Sequence, residues 1–187
     1  MPESTQITSS GTSSILDRLL PRPLILPGED PAIYEGLRDA FLRDLAPRSP
    51  YERALAENLV QLEWEASRYR RMRDDLIRSK ARDLAIGAFA TGEVEEVDNY
   101  AARDATLAFE LVGSDPERAA AAALILQEFD ITPSEILAQA YSRVSAQVEM
   151  HEKKLAAIEM RRRRLREEYD RLRAARPKPV EDAEILE

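Results

Sequence analysis

The sequence predicts an all-α fold, and three observations carry that reading. Ala, Leu, Arg and Glu dominate a chain with only 6 Gly and 6% aromatic residues in 187, a usage that favours helix over sheet. Four prolines each follow a capping side chain, at Asp30-Pro31, Ser49-Pro50, Asp115-Pro116 and Thr132-Pro133. Long stretches place apolar residues at helical rather than alternating spacing, and no strand pattern is visible.

The proline pairs mark helix starts. A short polar side chain at the N-cap accepts from the first free amides, and proline at the next position loses nothing by lacking an N–H. Ser49 and Thr132 are each followed three residues later by a glutamate, Glu52 and Glu135, which completes a capping box. The expected order begins with a tail, residues 1–14, that reads as disordered, and a short amphipathic piece over Ile15–Leu20. Pro21, Pro23 and Pro27 then forbid a helix. Helix Pro31–Ala46 ends at Pro47, and a long helix runs from Pro50 to about Ala90, stopped by Gly92. Two short helices follow, near Asp98–Val112 and over Pro116–Phe129 with Gly113 between them. A last long helix runs from Pro133 to about Arg176, and the acidic segment 177–187 reads as a disordered tail. Residues 15–176 are expected to form a single elongated helical domain, with 92–132 as its helical tip.

The last helix keeps a 4-3 spacing through Leu137, Tyr141, Val144, Val148, His151, Leu155, Ile158, Arg162, Leu165, Tyr169 and Leu172. That is the seam of a coiled coil, interrupted by His151 and Arg162. The first long helix carries a comparable stripe, Leu55, Leu59, Leu62, Ala66 and Tyr69. Some 40 helical residues make a rod of roughly 60 Å. Two such rods joined by short helices fit a long antiparallel helical hairpin, coiled-coil-like, with a short N-terminal helix and a small two-helix tip. Charge favours this pairing on one half. Tyr51–Ala66 holds four Glu and one Arg, whereas Ile158–Arg173 holds seven Arg and four carboxylates. Trp64 falls off the main stripe and is expected to cover Pro31–Ala46 or Leu24–Leu26.

The residue inventory excludes much chemistry. With no Cys, disulfides, thiolate metal sites and cysteine nucleophiles are out. One histidine, His151, rules out schemes that need two imidazoles. His151-Glu152 opens like a zinc-protease motif, but Leu155 stands where the second His is required. No phosphate-cradling glycine loop occurs. The longest apolar stretch, Ala119 to Leu126, is too short to span a membrane. The reading is therefore a cytoplasmic protein, not an enzyme, with no cofactor and no metal.

Two arginine-rich stretches remain, Arg68–Arg73 and Arg161–Arg166. Arg70, Arg71, Arg73, Arg161, Arg163 and Arg164 are the candidate interaction surface. Such residues can grip phosphate backbones. Consecutive positions on a helix point in different directions, however, so pairing with the Glu-rich neighbouring helix is the stronger expectation. A formal charge of −8 agrees.

The segment Leu24-Ile25-Leu26-Pro27-Gly28-Glu29-Asp30-Pro31, followed by Leu59-Val60-Gln61-Leu62-Glu63-Trp64 running into Arg68–Arg73, resembles a group of uncharacterised bacterial proteins. They share an L-P-G-E-D-P start and a helix with a Trp followed by arginines. The likeness covers about residues 24–75 and implies no activity, cofactor or partner.

The expected function is that of a non-catalytic interaction or scaffold protein acting through helical surfaces. The alternative is a nucleic-acid-associated accessory protein using the arginine-rich helices. Ile136, Ala140, Met150, Ala157 and the Leu76/Ile77 surface are expected to lack cover within one chain. That predicts a homodimer or another protein partner.

Overall fold

The structure, a computed structural model, describes residues 23–94 and 101–176. Among the described residues there are six helices and no strand, and 81% of them are helical. The helices are α1 (Pro31–Leu45), α2 (Pro50–Thr91), α3 (Ala102–Leu111), α4 (Pro116–Gln127), α5 (Pro133–Arg143) and α6 (Ser145–Ala174). The all-α expectation holds. The expected piece at 15–20, both tails and the first residues of the third helix lie outside the described residues.

Each capped proline opens a helix. The Asp30 side chain accepts from the Ala32 amide at 2.8 Å, and Asp115 accepts from the Glu117 amide at 3.0 Å. Thr132 and Glu135 form a complete capping box. Ser49 and Glu52 do the same: the Ser49 hydroxyl accepts from the Glu52 amide, and the Glu52 carboxylate from the Ser49 amide. At the other end of α1, Ala46 takes up the left-handed conformation, φ 48°, and its N–H bonds the Leu42 carbonyl. This is glycine's usual place, occupied here by an alanine just ahead of Pro47.

One expectation fails. The last helix is not continuous, because Val144, at φ −109° and ψ 12°, leaves the helical region between α5 and α6. Hydrogen bonds carry across on both sides, from the Val144 N–H to Ala140 and from the Val148 N–H to Val144. The break shifts the apolar face by one position. Ile136 and Ala140 are buried before it, while Leu137 and Tyr141, the expected seam residues, stand 48% and 52% exposed. From Val144 onward the 4-3 spacing holds: Val148, Leu155, Ile158 and Tyr169 are buried, and the positions between them are mainly exposed.

The chain divides into two compact units, one from Met1–Ala66 with Ala157–Glu187, the other Ser67–Ala156. In the first, Leu45, Leu55, Ala56, Leu59 and Tyr169 form one cluster. Tyr34, Val60 and Trp64 form a second, with Ile25, Leu37 and Phe41 packed on it. Trp64 thus covers both the segment before α1 and α1 itself, meeting Tyr34 edge to face at 5.5 Å. Ion pairs fill the flanks of this unit. Arg38 grips Glu57 through two nitrogens at 2.6 and 2.9 Å, and Arg162 bonds Glu63 and Glu159.

The second unit is built on small residues that let helices approach closely. Ala81, Leu84, Ala85, Ala88 and Phe89 of α2 meet Ala108 of α3, Ala122 and Leu126 of α4, and Ile136 and Ala140 of α5. The expected bare stripe is accordingly smaller, since Ile136 and Ala140 are covered within the chain by this tip. Gly92, at φ 72°, turns the backbone under the Phe129 ring, where a Cβ would come within 3.0 Å.

Candidate interaction surface

The six candidate arginines are divided between the two units. Arg70, Arg71 and Arg73 belong to the second unit; Arg161, Arg163 and Arg164 belong to the first. Arg73 is committed to carboxylates, its Nη1 donating to Glu152 at 2.6 Å and its Nε to Asp74 at 2.8 Å. Those two anions hold its proton more firmly than usual. Arg70 and Arg71 also have interaction partners.

The Arg161–Arg164 run splits as four successive helical positions must. Arg162 is partly buried and tied to Glu63 and Glu159. Arg163 lines a groove of about 430 Å³ with Phe41, Leu59, Glu159 and Glu167 on one side of α6. Arg161 and Arg164, one turn apart, share a different groove of about 350 Å³ with Asn58, Gln61, Leu62, Glu65 and Leu165. Among the described residues Arg161, Arg163 and Arg164 make no ion pair, whereas Arg166 pairs with Asp170 at 3.2 Å. Asn58 and Gln61 were not singled out from the sequence, and Glu65 was read there only as part of a solvated, Glu-rich face. Their signal was the i, i+3, i+7 spacing of polar residues beside the Leu55–Leu59–Leu62 stripe.

An apolar surface lies on the second unit. Ile77, Ala81, Leu111, Val112, Pro133, Ile136 and Leu137 line a groove of about 330 Å³, with Asp74 and Arg78 at its edge. Leu137 and Tyr141 extend that exposed face of α5 by one turn. Arg82 stacks its guanidinium 4.1 Å over the half-exposed ring of Phe109, which covers part of the apolar surface of α3 with a cation.

His151 lies half-buried with its ring 5.9 Å from that of Tyr69, and its Nδ1 is buried without a hydrogen-bond partner among the described residues. Glu52, almost fully buried, receives the Arg176 guanidinium at 2.8 and 3.0 Å and the Ser49 amide at 3.2 Å. That environment, the Arg176 bond above all, holds its carboxyl down at about 2. The hydrogen bond from Tyr51 to Glu168 keeps the Tyr51 phenol protonated beyond its usual range. No group of three or more potential metal ligands occurs among the described residues. None of their helices is long and apolar enough to cross a membrane. The chain matches no family model, and no curated protein or solved structure proves similar to it.

Proposed function

We propose that this is a non-catalytic interaction protein of the cytoplasm, working through paired helical surfaces and associating with a second copy of itself. The observation that carries the reading is the exposed apolar face of α5. Leu137 and Tyr141 are about half exposed, one turn apart, and adjoin the groove walled by Ile77, Leu111 and Val112. Apolar side chains gathered beside a groove are the usual mark of an interface. Asp74 and Arg78 stand one turn apart at the groove's edge. A two-fold partner would set each against the opposite charge of the other copy.

The finer fold reading is that the two long helical stretches pair antiparallel, as in a coiled coil. Within the first unit Glu52 meets Arg176 and Glu63 meets Arg162; within the second Tyr69 meets His151 and Arg73 meets Glu152. In the first unit rising numbers on one helix meet falling numbers on the other, which supports that pairing; the two contacts of the second unit, four residues apart on α2 and one apart on α6, support only that the same two helices adjoin there.

Sedimentation velocity at micromolar concentration tests the function. The expected mass is twice that of the chain. It should fall to that of one chain in Leu137→Glu/Tyr141→Glu with helix content unchanged; a parent that sediments as a single chain removes the proposal. Ile136→Glu is unsuited to this test, since Ile136 is 1% exposed.

The alternative of nucleic-acid association draws on Arg161, Arg163 and Arg164, which have no carboxylate partner among the described residues. Their division between two grooves weighs against a continuous phosphate track. Failure to shift duplex DNA or RNA in a gel at low salt would eliminate it.

A further inference from the structure

We infer that the groove holding Arg161 and Arg164 is the docking site of the chain's own acidic segment, residues 177–187, folded back along α6. The groove has a cationic rim and an apolar floor. Arg161 and Arg164 contribute two guanidiniums, Glu65 a single carboxylate, and Leu62 and Leu165 the apolar surface between them. Asn58 and Gln61 add side-chain amides. A like-charge pair one turn apart costs a helix a few tenths of a kcal/mol unless something offsets it. Among the described residues neither arginine has an ion partner.

The segment that follows α6 has the complementary pattern. Glu181-Asp182-Ala183-Glu184-Ile185-Leu186-Glu187 sets an apolar pair between acidic residues, and the only cation from residue 177 onward is Lys178. Ile185 and Leu186 match the Leu62/Leu165 floor while Glu184 and Glu187 reach the two guanidiniums. The length suffices. Going back from Arg176 to Arg161 covers 15 residues of helix, about 22 Å. The nine residues from 177 to Ile185 span up to about 30 Å when extended. Arg176 is itself held by Glu52 and the Ala46 carbonyl, so the segment departs from a fixed point. The groove is thereby occupied by an internal polyanion, which any outside anionic ligand must displace.

The chain's lack of cysteine and its single tryptophan, Trp64, buried and next in sequence to Glu65, make a direct test possible. An Ala183→Cys variant carries an acceptor dye, and energy transfer from Trp64 reports how near the segment lies. Transfer is expected to be high at low salt and lost when Arg161→Gln and Arg164→Gln are combined. It should also fall at 1 M salt, where the screening length shrinks to about 3 Å. Arg163→Gln, in the other groove, should leave it unchanged, and circular dichroism checks that each variant keeps its helix. Transfer indifferent to both the double substitution and salt overturns the proposal. So does transfer that drops when labelled chain is mixed with an excess of unlabelled chain, because the segment would then sit on a second copy.

Discussion

The hydroxyl of Tyr169 donates to the carbonyl oxygen of Leu45 at 2.8 Å, with the tyrosine fully buried. This one bond fastens the last turns of α6 to the end of α1, where Ala46 and Pro47 turn the chain toward α2. Burial keeps the phenol protonated above its ordinary range, so it remains a donor at any physiological pH. Tyr169→Phe keeps the ring and removes the donor, leaving the Leu45 carbonyl without this partner in a dry site. The expected loss is about 1–3 kcal/mol of unfolding free energy, read from urea denaturation. A loss near zero would mean that water replaces the hydroxyl.

Glu52 makes stability depend on pH at the acid end. Its folded value, about 2, lies below its ordinary 4.5. A carboxyl depressed in this way contributes its full stabilisation above the unfolded value and surrenders it as pH falls through the folded one. Between pH 4.5 and 2 the denaturation midpoint should therefore fall, and Glu52→Gln or Arg176→Gln should flatten that slope. Equal slopes in parent and variants would show that other carboxylates govern acid unfolding.

Ala46 offers a gain. At φ 48° its methyl opposes the left-handed turn that ends α1, and the residue is solvent-exposed, so it contributes little packing. Ala46→Gly should raise stability by roughly 1 kcal/mol, the cost of left-handed alanine less the added freedom of the unfolded chain. Gly92→Ala should do the reverse, because φ is 72° there and the new Cβ would press on Phe129 at 3.0 Å. Thermal midpoints of the two variants, moving in opposite directions, check both.

The shift of face at Val144 predicts opposite outcomes for neighbours. Ile136, 1% exposed, should lose about 2–5 kcal/mol on truncation to alanine, and Leu137, 48% exposed, well under about 1 kcal/mol at concentrations where the chain is monomeric. Equal losses would restore the unbroken seam through Leu137 and Tyr141.

Local chemistry was legible without coordinates. A capping side chain before proline specifies a helix start through bonds reaching two or three residues, so Asp30, Ser49, Asp115 and Thr132 were readable one by one. The 4-3 rhythm from Val144 to Leu172 was readable for a similar reason, since a helix repeats its face whatever it packs on. Trp64, off the stripe, also announced a third helical surface, which α1 and the Leu24–Leu26 segment supply. What lay beyond the sequence were the choices made by packing. A valine's backbone leaves the helical region only when the helices around it reward the change; here that lets Ile136 and Ala140, rather than Leu137 and Tyr141, enter the alanine-rich core of the tip. The arginine run shows the same division. Its charge was visible at once, but which guanidinium is bound and which stands open depends on the neighbour each helical direction meets. Arg162 meets Glu63, while Arg161 and Arg164 share a groove with the amides of Asn58 and Gln61. Helical periodicity is a property of one segment and is written along the chain; partner, register and exposure are properties of pairs of segments, and only their packing decides them.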